Sequence, residues 1–141
     1  MLQYLLDTDH LTLFQHGHAP LAHRLNVHTS GSVGISVVTI EEALRGRLAA
    51  LARANNGPDR IRDYRLLSET LLDIARFPSV SYEQPAEAEF QRIRHIRIGA
   101  RDLKIAATAL ANQLVVVTRN RRDFAQVPGL VIEDCRSDRR R

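Results

Sequence analysis

Leu2-Gln3-Tyr4-Leu5-Leu6-Asp7-Thr8-Asp9, residues 2–9, decides the architecture: a short, mostly apolar run ends abruptly on two carboxylates. Five residues are too few for a stable helix but enough for a buried strand. Two further segments repeat the pattern. Val33 to Val38 runs into Thr39-Ile40-Glu41-Glu42, and Leu114 to Val117 runs into Thr118-Arg119-Asn120, with Asp123 close behind. Ser79 to Ser81 and Leu130 to Ile132 are weaker strand candidates. Between these lie stretches with helical spacing and good helix formers, at Ile40–Ala54, Ile61–Arg76, Ala86–Arg97 and Asp102–Asn112. Strands that are apolar on both sides, separated by helices, predict an α/β fold. The expected form is a three-layer sandwich with a central, mainly parallel sheet flanked by helices. Asn55-Asn56-Gly57-Pro58 reads as a turn joining two long helices into a hairpin.

At 141 residues and 44% hydrophobic, the chain suits one core, expected over residues 1–135, followed by a basic tail at 136–141 with four arginines. Of twenty Lys and Arg residues only Lys104 is a lysine, so the cations are almost all guanidinium groups, which match phosphate bidentately and stay charged. The net charge of +4 and a sequence pI near 10.0 are compatible with a polyanionic partner without requiring one. The single cysteine, Cys135, excludes an intrachain disulfide and a cysteine-based zinc cage. The apolar runs are too short to span a bilayer, and Asp7 interrupts the first one as no secretory signal would, so no membrane association and a cytoplasmic location are expected.

Loops at the carboxyl ends of parallel strands converge on one crevice. Here they carry Asp7, Asp9, Glu41, Glu42 and Asp123, while Asp102, early in the helix before the third strand, can be aimed at the same edge. Each acid has a simpler explanation. Asp7 and Asp9 suit helix caps, Thr39 to Glu42 fits a capping box, and Asp102 complements a helix dipole. The argument for chemistry is joint, because independent caps have no reason to gather at one sheet edge. Like charges about 4 Å apart repel by about 4 kcal/mol at an effective dielectric near 20, so such a cluster calls for a cation. Oxygen donors select Mg²⁺ or Mn²⁺, and the matching reaction is phosphodiester hydrolysis by a metal-activated water. Thr8 and Thr118 are suited to orient ligands or to satisfy turns. Five of the six histidines, at 10, 16, 18, 23 and 28, follow no single helical face and form no zinc-ligand spacing.

These motifs resemble the PIN-domain family, and within it the VapC-type toxins of toxin–antitoxin pairs. Tyr4 to Asp9 is similar to the family's opening strand and first acid, and Thr39-Ile40-Glu41-Glu42-Ala43-Leu44-Arg45-Gly46 to its T-x-x-E-x-x-x-G segment, which selects Glu42 over Glu41. Ile98 to Ala107 resembles the segment of the third acid, Asp102, and Thr118 to Phe124 with Val127 to Leu130 the close of the domain. The resemblance covers nearly the whole chain. It implies a PIN-like fold, ribonuclease activity at Asp7, Glu42, Asp102 and Asp123 around Mg²⁺ or Mn²⁺, a homodimer and an inhibitory antitoxin. Thr8, Asp9, Thr118 and Asn120 are supporting candidates; Asn120 stands where some relatives carry another acid. Arg45, Arg119, Arg121 and Arg122 are candidate RNA contacts.

Two alternatives fit parts of the sequence. Asp7-Thr8-Asp9 resembles the D-x-D pair of haloacid-dehalogenase-like phosphatases, but Leu11 stands where a threonine or valine is expected and no acidic doublet follows Lys104. A catalytically silent PIN-like module that binds RNA or a protein partner would keep the same fold. Leu66, Leu67, Leu71, Leu72 and Ile74 form an apolar helix face, read as core or, if the hairpin protrudes, as a partner surface.

Overall fold

In a computed structural model, residues 1–8, 11 and 32–134 are described. Five strands, β1 (Tyr4–Leu6), β2 (Val33–Ser36), β3 (Ser79–Val80), β4 (Val115–Val117) and β5 (Ile132–Glu133), form one sheet in the order β3-β2-β1-β4-β5. Every pairing is parallel. The helices bounded among the described residues are α1 (Val37–Arg53), α2 (Gly57–Ile74), α3 (Gln84–Ile93), α4 (Ala100–Asn112) and the single turn α5 (Arg121–Phe124).

Alternation along the strands separates two cores. Leu5 and Val116 pack with Ile93, Leu103, Ile105 and Ala106 of α3 and α4. Leu6, Val33, Ile35 and Val117 pack with Ile40 and Ala43 of α1 and Ile74 of α2. The sheet is thus buried on both faces, and the expected three-layer α/β sandwich is the one found, with a fully parallel sheet. Alanines at 106, 107 and 109, all fully buried, let α4 lie close against the strands.

Chain order runs outward from β1 through β2 to β3, then resumes on the other side with β4 and β5. The switch point is therefore the crevice beyond the carboxyl ends of β1 and β4, where ligands bind in open α/β sheets. Register brings Leu6 level with both Ile35 and Val117, so Asp7, Ser36 and Thr118 emerge side by side at that edge.

Several boundaries differ from the sequence expectation. β2 ends at Ser36, and Val37 and Val38 are helical, because Ser36 caps α1 by accepting the Thr39 backbone N–H at 3.1 Å. Gly57 and Pro58 are not a turn but the first turn of α2, capped by Asn56, whose side chain accepts the Asp59 N–H at 2.9 Å. Proline suits this position, having no N–H to leave unpaired. The third expected helix starts and ends earlier, at Gln84 and Ile93, and the last strand is shifted to Ile132–Glu133. The apolar face of α2 is only partly core: Leu71 and Leu72 are exposed while Asp63 and Thr70 are buried. Asp9, five of the six histidines, Cys135 and the tail at 136–141 lie outside the described residues.

Candidate active site

Asp7 directly follows β1 and is 4% exposed. Its backbone N–H continues the ladder to the Val117 carbonyl at 3.2 Å, which fixes the direction of its side chain. The Thr118 hydroxyl donates to Asp7 Oδ2 at 2.6 Å and accepts the Asn120 N–H at 2.9 Å. A buried carboxylate is thereby held by a charge-assisted bond across the switch point.

Asn120 extends the contact to two further acids. Its Nδ2 donates to Asp123 Oδ2 at 3.0 Å and lies 3.5 Å from Asp102 Oδ2. Neither acid forms a side-chain cap: the N-cap residues of α4 and α5 are Gly99 and Asn120, each without a side-chain cap bond. The two carboxylates occupy first turns, where the helix dipole favours negative charge, and share one amide donor.

Glu42 approaches from α1. The Thr8 hydroxyl donates to Glu42 Oε2 at 3.2 Å and lies 3.5 Å from Thr39 Oγ1, which also receives the Ser36 hydroxyl at 3.3 Å. Since Ser36 is the cap, Thr39 is the third residue of the helix and Glu42 lies in its second turn, out of capping-box position. The simpler explanation of Glu42 is corrected accordingly. Its carboxylate instead forms an ion pair with Arg101, whose Nε is 4.0 Å from Asp102 Oδ1.

Contacts therefore run from Asp7 through Thr118 and Asn120 to Asp102 and Asp123, and from Asp102 through Arg101 to Glu42 and Thr8. Four acids dispersed over the sequence meet at one edge. Arg101 and Ser36 were not among the residues singled out for the site; adjacency to Asp102 was the signal for the first, and Ser-x-x-Thr spacing for the second. Arg119, Arg121 and Arg122 are exposed around α5, while Arg45 is ion-paired with Glu41 on its own helix.

Among the described residues, no three acidic, histidine or cysteine side chains stand as a closed metal-ligand set. The chemistry of the donors nonetheless fits a hard divalent ion, since Asp7, Glu42, Asp102 and Asp123 offer oxygen alone. Two nitrogen donors, the Asn120 amide and the Arg101 guanidinium, now engage these carboxylates. Lys104 plays no part: it lies 6.0 Å from the centre of the Phe90 ring, in the packing between α3 and α4. A phosphatase-like lysine at the sheet edge is thus missing among the described residues.

A parallel sheet with an acid directly after its central strand, and further acids from helices on both faces, defines a class, and residues 4–130 match the model of the PIN domain. The chain belongs to the PIN-domain family. Within it, the chain is a homologue of the tRNA(fMet)-specific endonuclease VapC of Salmonella typhimurium, with 31% identity over 95% of this chain and 98% of the relative. The DNA-bound VapBC structure from Salmonella typhimurium superimposes with a TM-score of 0.78 at 27% identity, covering 96% of this chain and 99% of that one. VapBC2 from Rickettsia felis, bound to a promoter DNA fragment, gives 0.77 over 94% and 98% at 19% identity, a likeness of fold.

Proposed function

We propose that the chain is a metal-dependent endoribonuclease, the toxin of a toxin–antitoxin pair, with Asp7, Glu42, Asp102 and Asp123 as its catalytic and metal-holding residues. The observation that carries this reading is the bond from Thr118 to buried Asp7 at the switch point, continued through Asn120 to Asp102 and Asp123. Such an arrangement concentrates negative charge where a cation and a phosphate can meet. Mg²⁺ or Mn²⁺ bound there supplies a water of lowered pKa and steadies charge on the leaving oxygen.

The protein's own part is positional. Thr118 holds Asp7 in one direction, Thr8 orients Glu42, and Asn120 sets the spacing of Asp102 and Asp123. Exposed Arg119, Arg121 and Arg122 bind RNA phosphates beside the acids, and Arg45 joins them by exchanging Glu41 for phosphate. Aromatic residues are 5% of the chain, so recognition rests on RNA shape and backbone rather than base stacking. Transfer RNA is the first substrate to test, given the specificity of the Salmonella relative.

On this reading a single PIN-like domain extends over residues 1–135, ahead of the basic residues 136–141. A protein partner suits the surface: Leu48 of α1 and Ile61, Tyr64, Leu71 and Leu72 of α2 are exposed, and an antitoxin or the second copy of a homodimer would cover them. No helix among the described residues is long and apolar enough to cross a membrane, and the expected place of action is the cytoplasm. Cleavage of purified RNA with Mn²⁺, Mg²⁺ or EDTA tests the reading. Metal-dependent cutting supports it. A chain that cuts no RNA and whose melting temperature does not respond to Mn²⁺ is instead a silent binding module.

A further inference from the structure

Arg101 occupies an electrostatically unfavourable place for its own helix. It is the second residue of α4, where the dipole's positive end disfavours a cation, whereas Asp102 beside it is favoured. Helix stability therefore does not account for this guanidinium. Its contacts do: it is ion-paired with Glu42 from α1 and stands 4.0 Å from Asp102, joining two acids from opposite faces of the sheet. The pair is also partly open to solvent, with the Arg101 side chain 47% exposed and that of Glu42 30% exposed. Ion pairs of this exposure contribute about 0.2–1 kcal/mol, so an ion carrying two charges can displace the guanidinium.

We propose that Arg101 is the resident counter-ion of the acidic site: it neutralises Glu42, and in part Asp102, until a divalent cation takes the carboxylates, and so sets how tightly the metal binds. The inference rests on the metal-dependent reading above and adds a positioning residue to it. Arg101 keeps the two acids from repelling each other in the unloaded protein, and metal binding carries the cost of separating the pair. Metal affinity is thus tuned by a residue that is not itself a ligand.

Calorimetric titration of the full chain with Mn²⁺ alone, without RNA, tests this. Arg101→Gln is expected to bind Mn²⁺ tighter, by up to about fivefold, the upper factor that corresponds to losing an exposed ion pair as competitor. Arg101→Lys, which restores a charge at this place, should return the affinity to near the wild-type value. In a Glu42→Gln background, where the pair is already broken, the gain from Arg101→Gln should shrink markedly. Unchanged or weaker Mn²⁺ binding by Arg101→Gln, with the same melting temperature in EDTA as wild type, overturns the counter-ion role and leaves the metal site standing. Absence of Mn²⁺ binding in both wild type and Arg101→Gln overturns the metal-dependent reading and this inference with it.

Discussion

Thr118 shows how much one hydroxyl can decide. It is fully buried, donates to Asp7 and accepts from Asn120, so it links the first acid to the group that carries the other two. Thr118→Val keeps shape but removes both bonds, taking one hydroxyl donor from a buried carboxylate. The expected loss is about 2 kcal/mol of stability, with a marked fall in RNA cleavage, and Thr118→Ser should restore most of both. Denaturant melts and cleavage rates on the three proteins check this. Asp7 was readable in the sequence because it directly follows an apolar strand, and Asp102 because it stands in the first turn of a helix; Glu42 and Asp123 lie further beyond their strands and were picked out by the resemblance to the family. The groups that position them were less so: Thr118 and Asn120 find Asp7 and Asp102, 111 and 18 residues away in the chain, only once the sheet register is set, whereas Ser36 meets Thr39 just three residues on.

Element boundaries expose the same division between local signal and tertiary context. Val37 and Val38 continue an apolar, β-branched run and read as strand, yet Ser36 caps α1 and turns them into its first residues. Ser36→Ala should destabilise the protein by about 1 kcal/mol and loosen the start of α1, measurable by chemical denaturation and by faster amide exchange at Thr39. Thr39→Ala, which the capping-box reading would make the larger loss of cap, should leave that exchange less affected. At α3, Tyr82 donates to Glu87 Oε2 at 2.7 Å. Hydrogen bonds from Gln91 and Tyr82 hold the Glu87 carboxyl below its ordinary range, and burial with the Glu87 bond raises the Tyr82 hydroxyl to about 12. A depressed folded-state pKa stabilises above the unfolded value and is lost as pH falls through the folded one. The stability difference between wild type and Tyr82→Phe should therefore be largest near neutral pH and narrow on acidification below the ordinary glutamate range, read from melts across pH 3 to 7.

Across the whole molecule, the order β3-β2-β1-β4-β5 concentrates acids at one edge of a chain whose net charge is +4. The fold class was legible because three short apolar segments, with two weaker strand candidates, are interspersed with helical ones. The exposure of Leu71 and Leu72 beside buried Asp63 and Thr70 was not, since helical periodicity marks an apolar face without saying what covers it. Exposed Arg121 and Arg122 beside the acids predict salt-sensitive RNA binding: replacing both by alanine should weaken binding and lower the slope of log affinity against log salt by about 1.4 to 1.8. An unchanged slope would remove them from the RNA path. The central claim is that carboxylates at the switch point cut RNA, and Asp7→Asn tests it most directly, because Asn keeps size and removes the charge held by Thr118. Cleavage of transfer RNA in Mn²⁺ should be complete for wild type and absent for Asp7→Asn, with the variant folded and equally stable or more stable without metal. Wild-type rates of cleavage by folded Asp7→Asn would contradict the account.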